Sequence, residues 1–267
     1  MIHAPLSTTS VLDEAADAVR VALPWTALLL AAALPWRFLQ IVFADRLLDL
    51  GSDASRYGTY LRSAALMAMI AFLVSRWGRL VYARAIRLVH ANGKNPGRET
   101  LRVPPSVLAD YVFIATFTEL LSSMTAITFV GPPLCTMLSG SAIGTAELNT
   151  TASISEPFRN IARAKESKIV FSLLLVFACA FVVAFINVAA AFALGYWLVS
   201  GTGWFDAQRW APFFSINNRR FVLAAIGCAL LTLEPFWVAA HVMLVRKAGA
   251  AQSGEDLRAW FEELRRA

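Results

Sequence analysis

Charge is what this chain has least of. Asp, Glu, Lys and Arg make up 16% of its 267 residues, where a soluble domain carries about 25%. With 58% apolar residues and a mean hydropathy of +0.58, it has too little polar surface to stay dispersed in water. That excludes an ordinary soluble globular domain. Histidine and cysteine are scarce as well. His3, His90 and His241 lie far apart, and Cys135, Cys179 and Cys228 have a spacing that suits neither a zinc site nor a disulfide framework. All three cysteines fall in apolar blocks and are expected as small side chains in helix cores. There is no HExxH, no GxSxG, no phosphate-binding loop and no Cys/His ligand cluster. No polar stretch is long enough for an enzyme domain, and no internal repeat or low-complexity tract is present. The expectation is a non-enzymatic chain with no catalytic, cofactor-binding or metal-ligating residues.

What the chain has is apolar blocks. A helix rises 1.5 Å per residue, so about 20 apolar residues cross a hydrocarbon core about 30 Å thick. The blocks predict six spans, at about 22–43, 60–80, 108–130, 134–149, 169–199 and 220–245. The fold class expected is all-α: a six-helix transmembrane bundle forming one integral membrane domain over 1–267, with short amphipathic helices at both termini. Residues 7–20 form the first of these, with Ser10 and Asp13 resembling a capping box and Val11, Leu12, Ala15, Val19 and Leu23 as its apolar face. Residues 254–266 form the last. Pro24 and Pro35 interrupt the first span, which a membrane helix tolerates. The fourth span is short and rich in small residues, so it either crosses a thinned bilayer or re-enters. Residues 200–217 form a loop with Trp204, Phe205, Trp210, Phe213 and Phe214, aromatics that suit a membrane interface.

Orientation follows from the basic residues beside the spans. One side takes Arg20, those within 76–102 and 159–168, and those after the last span, seventeen in all, against six on the other side. The bias places both termini in the cytoplasm. Residues 1–20 lack a basic start and carry Asp13, Glu14 and Asp17, so the first block is expected to be a retained span. The net charge of +6 lies beside the apolar blocks, where the partner is the lipid bilayer; no basic domain stands free to bind nucleic acid.

Ionisable groups inside the spans are the functional candidates, because an unpaired charge in hydrocarbon costs several kcal/mol. Arg37 lies in the first span, Glu119 in the third and Glu234 in the sixth, with His241 two turns beyond Glu234 on the same face. Arg37 is expected to pair with Glu119 or Glu234, leaving the other carboxyl protonated. Such a cluster either handles protons or substrate, or clamps three helices in register. Gly140 and Gly144 form a GxxxG that permits close helix packing, expected within the chain rather than between copies. Arg76, Arg79, Arg84 and Arg87 share one helix face at 100° per residue. That face suits anionic lipid at about 1 kcal/mol per charge, an acidic partner, or a role in setting topology alone. Asn149-Thr150-Thr151 matches a glycosylation sequon but falls on the side expected to be cytoplasmic.

Several short motifs resemble a bacterial family of multi-pass membrane proteins of unassigned activity. They are Leu12-Asp13-Glu14-Ala15, Glu156-Pro157-Phe158-Arg159-Asn160, Ile186-Asn187-Val188, Leu233-Glu234-Pro235 and Ser253-Gly254-Glu255-Asp256-Leu257-Arg258. That family is similar in layout to the membrane domain of some glycerophosphodiester phosphodiesterases, and it is encoded near transglutaminase-like and MoxR-type AAA+ proteins. Its members more often carry Asp-Pro where this chain has Glu234-Pro235. The resemblance implies a non-catalytic membrane component, a scaffold or subunit of an inner-membrane complex that includes other membrane proteins. The competing expectation is a small transporter or lipid-handling permease using Arg37, Glu119 and Glu234.

Overall fold

Backbone N–H and C=O groups in hydrocarbon find partners only within the chain, which leaves the helix as the default for apolar blocks this long. The structure, a computed structural model, describes residues 7–49, 58–92, 96–124, 138–144, 168–202 and 210–253, and every regular element among them is helical. The elements are α1 (Thr8–Val21), α2 (Leu23–Asp49), α3 (Gly58–Asn92), a 3-10 turn at Arg98–Leu101, α4 (Pro105–Met124), α5 (Ile169–Ser200) and α6 (Arg219–Ser253). Residues 138–144 add a further helical stretch.

Among the described residues four helices are long and apolar enough to cross a membrane: Leu23–Asp45, Ala64–Ala91, Ile169–Ser200 and Arg219–Gly249. They correspond to the first, second, fifth and sixth expected spans. The other two expected spans are not among these four. Of the third expected span only 108–124 is described, within α4, which carries Asp110 and Glu119. Of the fourth expected span only 138–144 is described, a length of about 10 Å at the helical rise. The tail at 254–266, the sequon, Cys135, Trp204 and Phe205 lie outside the described residues.

Helix ends differ from expectation for local reasons. α1 is capped by Ser7, whose side chain accepts from the Ser10 N–H at 3.2 Å while Ser10 Oγ accepts from the Ser7 N–H at 3.3 Å. The reciprocal box therefore starts one turn before the expected Ser10–Asp13 pair. The buried face of α1 is Val11, Ala15 and Ala18, continued by Ala22; Leu12 and Val19 are half-buried and Leu23 is exposed. Pro24 sits in the first turn of α2 rather than interrupting it, because the N–H it lacks has no intrahelical partner there. Pro35 remains inside α2. By contrast, α3 runs past its apolar block and ends at Asn92, as the helical pattern carrying Arg76 to Arg87 and the following Asn92-Gly93 predict.

The chain divides into two compact units. The first comprises Met1–Leu29, Arg76–Phe177 and Pro235–Ala267, the second Leu30–Ser75 and Ala178–Glu234. α2, α3, α5 and α6 each contribute one stretch to either unit. In the first unit the buried side chains include Leu29, Leu80, Tyr82, Ile86, Tyr111, Ile114, Leu138, Ile143, Leu173, Phe177, Val242 and Met243. Lys247 on α6 reaches Glu14 on α1 at 2.6 Å, and the Thr26 hydroxyl lies 3.3 Å from that of Tyr82. Among the described residues of the second unit the buried apolar side chains are Ala32, Ala33, Ala71, Phe221, Ala225 and Ala229. Its large side chains turn outward instead, among them Phe38, Leu66, Met67, Ile70, Val183, Ile186, Leu194 and Trp197. Trp36 meets Phe72 edge-on at 5.1 Å, and Tyr196 stacks on Phe214 at 4.9 Å. Phe214 also meets Phe213 and Phe221, gathering the aromatics expected at an interface.

Candidate functional site

The second unit contains one of the expected pairs. Arg37 of α2 reaches Glu234 of α6 at 3.4 Å and donates to Gln40 Oε1 at 2.9 Å. The Glu234 side chain is 2% exposed and that of Arg37 19%, so both charges are largely withdrawn from solvent and each needs the other. Gln40 was not foreseen, although its i+3 spacing from Arg37 places both on one helix face.

This pair is one of three contacts that set the register of α2 against α6. Gly227, two turns before Glu234, leaves room for Ile41: a Cβ added there would collide with the Ile41 side chain. At the far end Asp45 accepts from Arg219 at 2.7–2.8 Å and from Arg220 at 3.1 Å. The contacts advance from 37 to 45 on α2 and retreat from 234 to 220 on α6, so these helices run antiparallel. Eight residues of α2 rise about 12 Å and fourteen of α6 about 21 Å. The long guanidinium arms at both ends span the difference.

In the first unit Glu119 of α4 is held by Arg76 of α3, not by Arg37. The expected single cluster sharing one arginine is therefore two separate pairs, and neither glutamate lacks an arginine. This corrects the place given to Arg76. Its side chain is fully buried, so it is not available to lipid headgroups or to a partner. The sequence puts Arg76 at the end of an apolar block, and nothing local signals that Glu119, 43 positions further on, draws it inward. Arg79, Arg84 and Arg87 are half-buried, and Arg84 donates to the Arg102 carbonyl at 2.6 Å. The arginine face is thus in large part turned into its own unit.

The GxxxG lies where a close contact was expected. Gly140 abuts the ring of His241, and a Cβ on Gly144 would come within 2.8 Å of Val245 Cγ2. Gly140, Ser141, Ala142, Ile143 and Gly144 are all buried. His241 is fully buried, with Nδ1 2.9 Å from the Trp237 carbonyl and its ring 4.1 Å from that of Trp237. Neutral Nδ1–H donates to that carbonyl, leaving Nε2 as an acceptor. Nε2 and the Tyr111 hydroxyl have no hydrogen-bond partner among the described residues. Cys179, expected in a helix core, is exposed, and Cys228 is partly so. Among the described residues no three His, Cys, Asp or Glu side chains converge where they could hold a metal ion.

Compared with models of protein families, with curated proteins and with solved structures, the chain shows no significant match.

Proposed function

We propose that this chain is a non-enzymatic membrane scaffold, a subunit of a bacterial inner-membrane complex. In this reading six segments lie across or within the bilayer and both termini are cytoplasmic. The observation that carries the proposal is that Arg37–Glu234 and Arg76–Glu119 are two separate pairs. A site that moves protons or a cation needs a carboxylate with spare capacity. Here each glutamate is engaged by an arginine from another helix, an arrangement suited to holding helices in register. The distribution of Lys and Arg supports the orientation, and the resemblance to a non-catalytic bacterial membrane family agrees with the scaffold role.

Two measurements test it together. The full-length protein, isolated from its native membrane in mild detergent, is expected to carry another membrane protein at fixed stoichiometry, and that partner's abundance falls when the chain is deleted. Proteoliposomes holding the chain alone are expected to leak protons no faster than empty liposomes. Proton flux through the chain alone, abolished by Glu234→Gln in a protein that keeps its helicity, overturns the proposal in favour of a transporter.

A further inference from the structure

α5 is the most apolar of the four helices able to cross a membrane, yet it carries an amide near its middle. Any stretch of about 20 residues within Ile169–Ser200, the length a span requires, contains Asn187. The Asn187 side chain is exposed and makes no hydrogen bond among the described residues. An amide facing lipid tails loses the hydrogen bonds that water would give it, and hydrocarbon supplies none in return. An asparagine turned into its own bundle would find partners there; this one is turned away.

Its neighbours on that face share its exposure. At 100° per residue, Ala180, Val183, Ala191, Leu194 and Leu198 lie within about 40° of Asn187. Val183, Ala191, Leu194 and Leu198 are exposed and Ala180 is half-buried. The alanines allow a second backbone to come close, and the larger side chains above and below them offer packing surface. An amide both donates and accepts, so the residue that best satisfies one asparagine at the middle of a symmetric contact is the same asparagine of another copy.

We infer that this face of α5 is a homodimer interface, with Asn187 of one copy hydrogen-bonded to Asn187 of a second across a two-fold axis. The dimer does not depend on the scaffold role: a monomeric scaffold would sink this inference alone, and a dimeric transporter the other alone.

The test uses the full-length chain in mild detergent and in liposomes. Light scattering is expected to give a dimer for the wild type. Asn187→Leu, which makes the span more apolar and preserves helicity, is expected to raise the dimer dissociation constant about three- to thirty-fold. With Cys135, Cys179 and Cys228 replaced by alanine, Val183→Cys is expected to cross-link two copies. Val182→Cys, equally exposed but about 140° around the helix, is expected not to. A monomeric wild type overturns the inference, as do a dimer indifferent to Asn187→Leu or equal cross-linking at both positions. In each of those cases lipid or another segment of the chain covers the face.

Discussion

The first unit buries leucine, isoleucine, tyrosine and an entire arginine; the second buries little beyond alanine and turns its phenylalanines, methionines and leucines outward. The two are packed by different rules. Where water is outside, burying large apolar groups is the dominant gain, and a core fills with them. Where lipid tails are outside, large side chains gain nothing by turning inward, and helices meet through small residues that let backbones approach. The second unit is packed on that rule, with Ala32, Ala33, Ala71, Ala225, Gly227 and Ala229 inside. The first buries larger side chains, although it too turns Phe113, Phe117, Leu120 and Phe171 outward and its helices contribute to the spans. In the ion pairs, the Arg76 side chain of the first unit is fully buried, and those of Arg37 and Glu234 in the second are 19% and 2% exposed.

The sharpest way to break this contrast is a matched truncation. Leu173→Ala, in the core of the first unit, is expected to lower stability by about 2–5 kcal/mol. Leu194→Ala, on the outer face of the second, is expected to lower it by well under 1 kcal/mol, the usual range of an exposed substitution. Thermal unfolding in detergent, followed by circular dichroism, measures both; equal losses would end the distinction. Glu119→Ala comes next. It strands a buried Arg76 and is expected to cost about 3 kcal/mol, the low end for such a break because Glu119 is itself 39% exposed. Glycines sharpen the comparison further. Gly140→Ala drives a methyl group into the His241 ring and is expected to cost about 1–3 kcal/mol. Gly195→Ala meets nothing within 4 Å and is expected to be neutral or stabilising by up to about 1 kcal/mol. The smallest effect belongs to Asp45→Asn. Arg219 and Arg220 are 40% and 64% exposed, so the loss is expected below about 1 kcal/mol and to shrink as salt rises.

Much of the fold is legible in the residues, and the reason is local. Apolar runs such as those of α2 and α5 identify helices without knowledge of their neighbours, because an apolar stretch of that length has one way to satisfy its backbone in lipid. Helix ends are partly legible: the helical pattern of α3 runs past its apolar block to a stop at Asn92-Gly93, where the helix ends, whereas the cap of α1 falls on Ser7 rather than Ser10. The candidate site was half visible. Arg37, Glu119 and Glu234 stand out as charges in apolar blocks, and Arg37–Glu234 was among the expected pairings. Arg76 looked like one more arginine on a solvated face, and only its distant partner on α4 distinguishes it. Gly140 and Gly144 announced a close contact, but the residues that fill it, His241 and Val245, lie a hundred positions away.

By itself the sequence determined that the described chain is helical and that runs such as Leu23–Asp45 and Ile169–Ser200 have the length and apolarity to cross a membrane; it predicts six such runs, and among the described residues four qualify. Both properties follow from composition within a single run. The tertiary structure alone decided which arginine holds which glutamate, which faces turn inward and which amide is left outside. Those outcomes depend on how helices far apart in the chain are brought side by side, and no local pattern encodes that.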